Sequence, residues 1–133
     1  MTKMFLCYVI ILLVFTAIDM AWLMGVARST YVLEMGALLK KQPNLIAAIV
    51  FYLLYALGIL IFAVRPGVES ASWTTAMGFG AALGLVAYGT YDLTNLSVVE
   101  GFGTRIAFID LAWGTVLSAT TSAVATFIAL RLP

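Results

Sequence analysis

Two aspartates stand in nearly identical settings, IDMAW at 18–22 and IDLAW at 109–113, and both copies lie inside long apolar runs. Asp19 and Asp110 each precede a tryptophan, Trp22 and Trp113, by three residues. A third polar cluster, YGTYDLTN at 88–95, puts Tyr88, Asp92 and Asn95 on one helix face by their i, i+4, i+7 spacing, with Tyr91 and Thr94 beside it. An ionisable group inside a membrane span costs about 2.5–3.5 kcal/mol on insertion scales, which makes it a functional-site hypothesis by default. The chemistry open to such carboxyls is proton or cation binding, proton relay, and general acid–base work. Arg105 and Arg28 would stand at the rim of such a site, available to pair with a carboxylate. The competing reading is structural: each aspartate accepts hydrogen bonds from Tyr, Thr or Trp and fastens helices, while tryptophans anchor at the interface.

Other chemistries lack their residues. The chain has no histidine and a single cysteine, Cys7, so it can build no His–Cys metal centre, haem ligation or nucleophile–histidine pair. No glycine-rich phosphate loop occurs, and the expectation is no cofactor and no metal. A net charge of +1 gives no nucleic-acid surface.

The elements that must position these groups are set by hydropathy. The chain is 64% hydrophobic and 10% charged, with mean hydropathy +1.11, far from a soluble domain. Four apolar stretches, about 4–27, 45–64, 72–92 and 106–130, are each at least 20 residues long. About 20 helical residues cross the hydrocarbon core, and the stretches do not alternate as barrel strands would. The expected fold is all-α: an integral membrane four-helix bundle forming a single domain, 1–133, with both termini on the same side. The run from Met4 to Ala27 reads as a retained span rather than a signal peptide, because it continues past the usual length and lacks a small-x-small cleavage site. Loop one carries Tyr31, Met35 and Leu38 at helical spacing, which predicts a short interfacial helix. Pro43 suits the first turn of the second span, RPGVESAS at 65–72 reads as a turn, and Thr104 reads as a cap near the end of a loop from Leu96 to Arg105. Charge leans loops one and three towards the cytoplasm, four basic residues against three.

Depth then groups the aspartates. Asp19 lies eight residues before Ala27, about 12 Å inside the loop-one edge at helical rise. Asp110 lies four residues after Ile106, about 6 Å inside the loop-three edge. Asp92 ends the third span at that same face. The first and fourth helices would meet antiparallel, pairing Asp19 with Asp110 in a local two-fold. Gly80 and Gly84 form a GxxxG pair, and Gly114, Ser118, Ser122 and Thr126 recur every four residues, which predicts close packing of the third and fourth helices. The second span, rich in Leu, Ile and Phe, reads as mostly lipid-facing.

YDLTN at 91–95, IDLAWGT at 109–115 and the Asp–x–x–Trp of the first span together resemble a family of small bacterial membrane proteins catalogued only as a domain of unknown function. FYLLYALGILIFAV at 51–64 extends the likeness through the second span. The resemblance implies a multi-pass, four-helix protein of the bacterial inner (cytoplasmic) membrane, and it supplies no reaction. Members of that family neighbour genes for fatty-acid modification, which implies lipid-metabolism enzymes as partners.

Three functions compete. The first is binding or transport, with proton coupling, of a small or lipid-like molecule between the first, third and fourth spans. Asp19 and Asp110 would be the proton or cation ligands there, with Tyr88, Tyr91, Asp92 and Asn95 at the entrance. So short a chain encloses little volume, which favours a homodimer. The second is a lipid-modifying membrane enzyme or its membrane subunit, with an aspartate as general acid or base. The third is a structural assembly partner. Membrane lipids are the common partner of all three.

Overall fold

A computed structural model describes residues 1–133 as an all-helical chain with no strands. Five helices follow in order: α1 Thr2–Val26, α2 Arg28–Met35, α3 Leu45–Glu69, α4 Trp73–Val98 and α5 Thr104–Ala129. Three of them, α1, α3 and α5, are long and apolar enough to cross a membrane, with mean hydropathies of 2.4, 2.7 and 1.4. The fourth expected span, α4, is as long as α5 at 26 residues but is not among them. Its Gly, Thr and Tyr content, together with Asp92, lowers its mean.

The last turn of α1, Trp22–Val26, and the segment Leu60–Val64 of α3 widen into π-helix. In α3 the wide turn precedes Pro66, and the Arg65 N–H reaches back to the Leu60 carbonyl. Proline removes one helical donor, and a wide turn relaxes the ladder it enters. The helix therefore runs through Pro66 to Glu69, where the sequence reads a turn from residue 65. The reversal is confined to Ser70–Ala71–Ser72, with Ala71 at φ 51°, and Ser72 Oγ accepts from the Thr75 N–H at 3.2 Å. At the other end of α3, Asn44 is the cap, its Oδ1 accepting from the Ala47 N–H at 3.1 Å, so Pro43 precedes the helix instead of opening it. Helix α4 continues past Asp92 to Val98, which puts all of YDLTN inside it and shortens loop three. Thr104 is the first residue of α5 and makes no side-chain cap; Gly103 precedes it.

Helices α4 and α5 form the closest pair. Gly80 and Gly84 are buried against Ser118, Ser122 and Gly114, as the small-residue spacing predicts. A Cβ on Gly80 would lie 2.6 Å from the Ser118 carbonyl oxygen, and one on Gly84 would lie 2.8 Å from Ser118 Oγ. The main core gathers Cys7, Ile11 and Phe15 of α1, Tyr55, Ala56 and Ile59 of α3, and Leu117 and Ala125 of α5. Helices α1 and α5 pack antiparallel, and Lys3 Nζ donates to the Leu132 carbonyl at 3.4 Å, so the two termini share one end of the bundle.

Candidate functional site

The other end of the bundle holds a cavity of about 240 Å³. Three aspartates line it: Asp19 from α1, Asp92 from α4 and Asp110 from α5. Its aromatic walls are Tyr31, Tyr88, Tyr91, Phe102 and Trp113. Position follows from local packing. A Cβ on Gly114 would overlap the Tyr88 ring, so the bare backbone of α5 at that point is what lets the phenol lie flat beside it. Loop one does form a short helix, α2, which supplies Tyr31 and Met35 to the lining.

Asp19 has both carboxyl oxygens occupied. The Tyr52 hydroxyl donates to Oδ2 at 2.5 Å, and Trp113 Nε1 donates to Oδ1 at 3.0 Å. This one carboxyl thereby ties α1 to both α3 and α5. The two IDxAW copies do meet antiparallel, with Trp22 stacked on Trp113 at 4.2 Å between ring centroids and 8° between planes. Their pairing is crosswise and one-sided. Trp113 of the second copy reaches Asp19 of the first, whereas Asp110 accepts from the Tyr31 hydroxyl at 2.5 Å instead of from Trp22.

Asp92 differs from both. It is 1% exposed, and its Oδ2 is buried with no hydrogen-bond partner. Asp110 lines the same cavity from the neighbouring helix α5. No lysine or arginine lines the cavity. Arg105 is largely exposed and lies 3.8 Å from Glu34, above the mouth. Arg28 is exposed as well. The aspartates are not arranged to chelate a metal ion.

Of the residues read from sequence, Asp19, Tyr88, Tyr91, Asp92, Asp110 and Trp113 line the cavity. Trp22 backs it through the stack, Arg105 stays at the rim, and Asn95 is half-buried outside the lining. Two further residues, Tyr52 and Tyr31, are donors to the carboxyls. Tyr52 sits on the helix read as mostly lipid-facing; most of α3 is indeed exposed, but Tyr52, Tyr55, Ala56 and Ile59 form an inward stripe. Two tyrosines spaced i, i+3 in a Leu/Ile/Phe run were the signal for it. Tyr31, on the apolar face of loop one, reaches Asp110 across 79 residues of chain, a pairing that spacing within the loop does not signal. Burial first, and the neighbouring Asp110 second, push the Tyr31 phenol above the usual tyrosine range, so it stays a donor at neutral pH.

The family model described as "Predicted membrane protein (DUF2177)" matches residues 4–127, nearly the whole chain, and the chain belongs to that family. No curated protein and no solved structure matches it.

Proposed function

We propose that the chain crosses the membrane four times, with both termini on one side, and that its aspartate-lined cavity binds and moves a small or lipid-like molecule. The case for α4 as the fourth span rests on how its polarity is distributed. Met77, Phe79, Leu85, Val86 and Leu93 point outward, whereas Gly80, Gly84, Gly89 and Asp92 are buried. Asp92 and three of the glycines that lower its mean hydropathy lie on the buried face; the outward face also carries Thr74, Thr90, Thr94 and Ser97, and the Thr90 hydroxyl donates to the Val86 carbonyl at 2.6 Å.

The observation that carries the functional reading is the free oxygen of Asp92 beside Asp110. A buried acceptor with no partner costs about 1–3 kcal/mol, and a purely structural carboxyl would have been given a donor, as Asp19 has been. Two adjacent carboxyls hold one proton between them readily and exchange it for a bound donor or cation. In this reading Asp92 and Asp110 are the exchanging pair. Asp19, with Trp113 and Tyr52, is the fastener that keeps the cavity's shape.

The test is an untargeted profile of lipids and small molecules in a deletion strain and its growth medium. The strain is complemented with wild type, Asp92→Asn or Asp110→Asn, each verified at wild-type abundance in the membrane. The expected result is a compound that changes its distribution between cell and medium, or between membrane fractions, without changing structure. Wild type restores it and the amide variants do not. A precursor–product pair in its place would make the protein an enzyme. Full restoration by both variants would overturn the role given to the pair and favour a structural partner.

A further inference from the structure

A second cavity, about 310 Å³, adjoins the first and shares Tyr88, Tyr91 and Asp110 with it. Phe51 of α3 and Ala87 of α4 complete its lining. It exists because α3 packs on α4 chiefly through its second half, the segments Leu60–Val64 and Arg65–Glu69, and parts from it towards Leu45. The gap is a cleft open on the outer, lipid-facing side of the bundle: Phe51 and Tyr91 at its edges are 44% and 54% exposed. Its far wall is Asp110.

From this juxtaposition we infer that the ligand is an alkylammonium amphiphile, which enters from the bilayer through the α3–α4 cleft and sets its cationic head between Asp110 and Asp92. The inference rests on the binding function proposed above and names its substrate class and route. Charge selects the head. Three carboxyls and no basic side chain line the inner cavity, and one buried carboxyl oxygen lacks a donor. An ammonium N–H supplies that donor, while the rings of Tyr88, Tyr91 and Trp113 suit a cation lying over aromatic faces. Aromatic walls that open into an apolar cleft favour an organic cation over a strongly hydrated inorganic one. The tail is selected by the cleft, where Phe51, Ala87 and the ring faces of two tyrosines give an alkyl chain its contacts, continuous with the surrounding lipid.

The experiment measures equilibrium binding of radiolabelled dodecylammonium to the full chain in non-ionic maltoside micelles, with empty micelles subtracted. Dodecanol, dodecanoate and ethylammonium serve as competitors. Dodecylammonium is expected to bind at least about tenfold tighter than the alcohol or the acid, and Asp92→Asn and Asp110→Asn should each weaken it by about tenfold or more. Ala87→Trp, which narrows the cleft, should weaken dodecylammonium by a larger factor than ethylammonium. Equal binding of the long and short ammonium ions, indifferent to Ala87→Trp, would overturn the lateral route. Equal binding of dodecanol, indifferent to the amide variants, would overturn the cationic head. No binding of any of them would overturn the substrate class and leave the proposed function to the deletion-strain profile. Should an amide variant fail to fold, the wild-type ammonium-to-alcohol ratio and Ala87→Trp still decide.

Discussion

Trp113 both stacks on Trp22 and donates its Nε1 hydrogen to Asp19, so one side chain joins the two IDxAW copies through a ring face and a polar edge. Trp113→Phe keeps a ring for the stack and deletes the donor, leaving Asp19 Oδ1 without it. Loss of one partner from a buried acceptor costs about 1–3 kcal/mol. Thermal unfolding in detergent should show a clear drop for Trp113→Phe and a smaller one for Trp22→Phe, which removes no carboxyl contact. Equal drops would mean that the stack, not the bond to Asp19, holds the helices.

The α4–α5 seam depends on missing side chains at particular places. Gly84→Ala would push a methyl into the Gly114 carbonyl and Ser118 Oγ, whereas Gly78 on the same helix has open space around it. Overpacking of this kind costs about 1–3 kcal/mol. Ala in place of Gly within a helix otherwise favours the helix by about 0.5–1 kcal/mol. Gly84→Ala should therefore lower the unfolding temperature and Gly78→Ala should hold or raise it. A shared direction of change would show that the seam tolerates separation.

Most of the bundle was legible because its signals are local. Apolar runs gave the helices, glycine spacing gave the α4–α5 seam, and depth arithmetic put Asp19, Asp92 and Asp110 at one end. Misread boundaries came from treating Pro66 and Asp92 as stops. A π-turn carries α3 past the proline, and α4 simply continues beyond its aspartate. The roles within the cluster were illegible for a different reason. Whether a carboxyl is satisfied depends on which donors arrive from other helices, and spacing within one helix does not encode that. Tyr52, 33 residues from Asp19, and Tyr31, 79 residues from Asp110, reach their partners only through tertiary packing.

Tyr31 offers a spectroscopic check on the mouth of the cavity. Its phenol is pushed above the usual range by burial and by Asp110, so the folded state favours the protonated form. The stability this contributes is fully present below the ordinary tyrosine value of about 10 and declines as pH rises above it. The difference in ultraviolet phenolate absorbance between wild type and Tyr31→Phe should thus develop only at higher pH than that of an ordinary tyrosine. A difference curve centred near the ordinary value would mean that α2 does not close over Asp110.

Topology decides whether the aspartate end faces one compartment, and four exposed positions read it out. Added singly, cysteines at Lys40, Ser70, Glu100 and Pro133 sit in loop one, loop two, loop three and the C-terminus, and native Cys7 is fully buried. An impermeant maleimide applied to sealed vesicles of known orientation labels only those facing it. With four spans, Lys40→Cys and Glu100→Cys share one side, and Ser70→Cys and Pro133→Cys share the other. If α4 did not cross, Glu100→Cys would label with Ser70→Cys, and Pro133→Cys would move to the side of Lys40→Cys. The outward apolar residues of α4 and its close seam with α5 predict the first pattern, in which the α2 side of the cavity and the tip of loop three face the same compartment. The charge count, four basic residues against three, leans that compartment towards the cytoplasm; on that orientation Lys40→Cys and Glu100→Cys should resist labelling in right-side-out vesicles and react once these are opened, and the reverse pattern would invert the orientation.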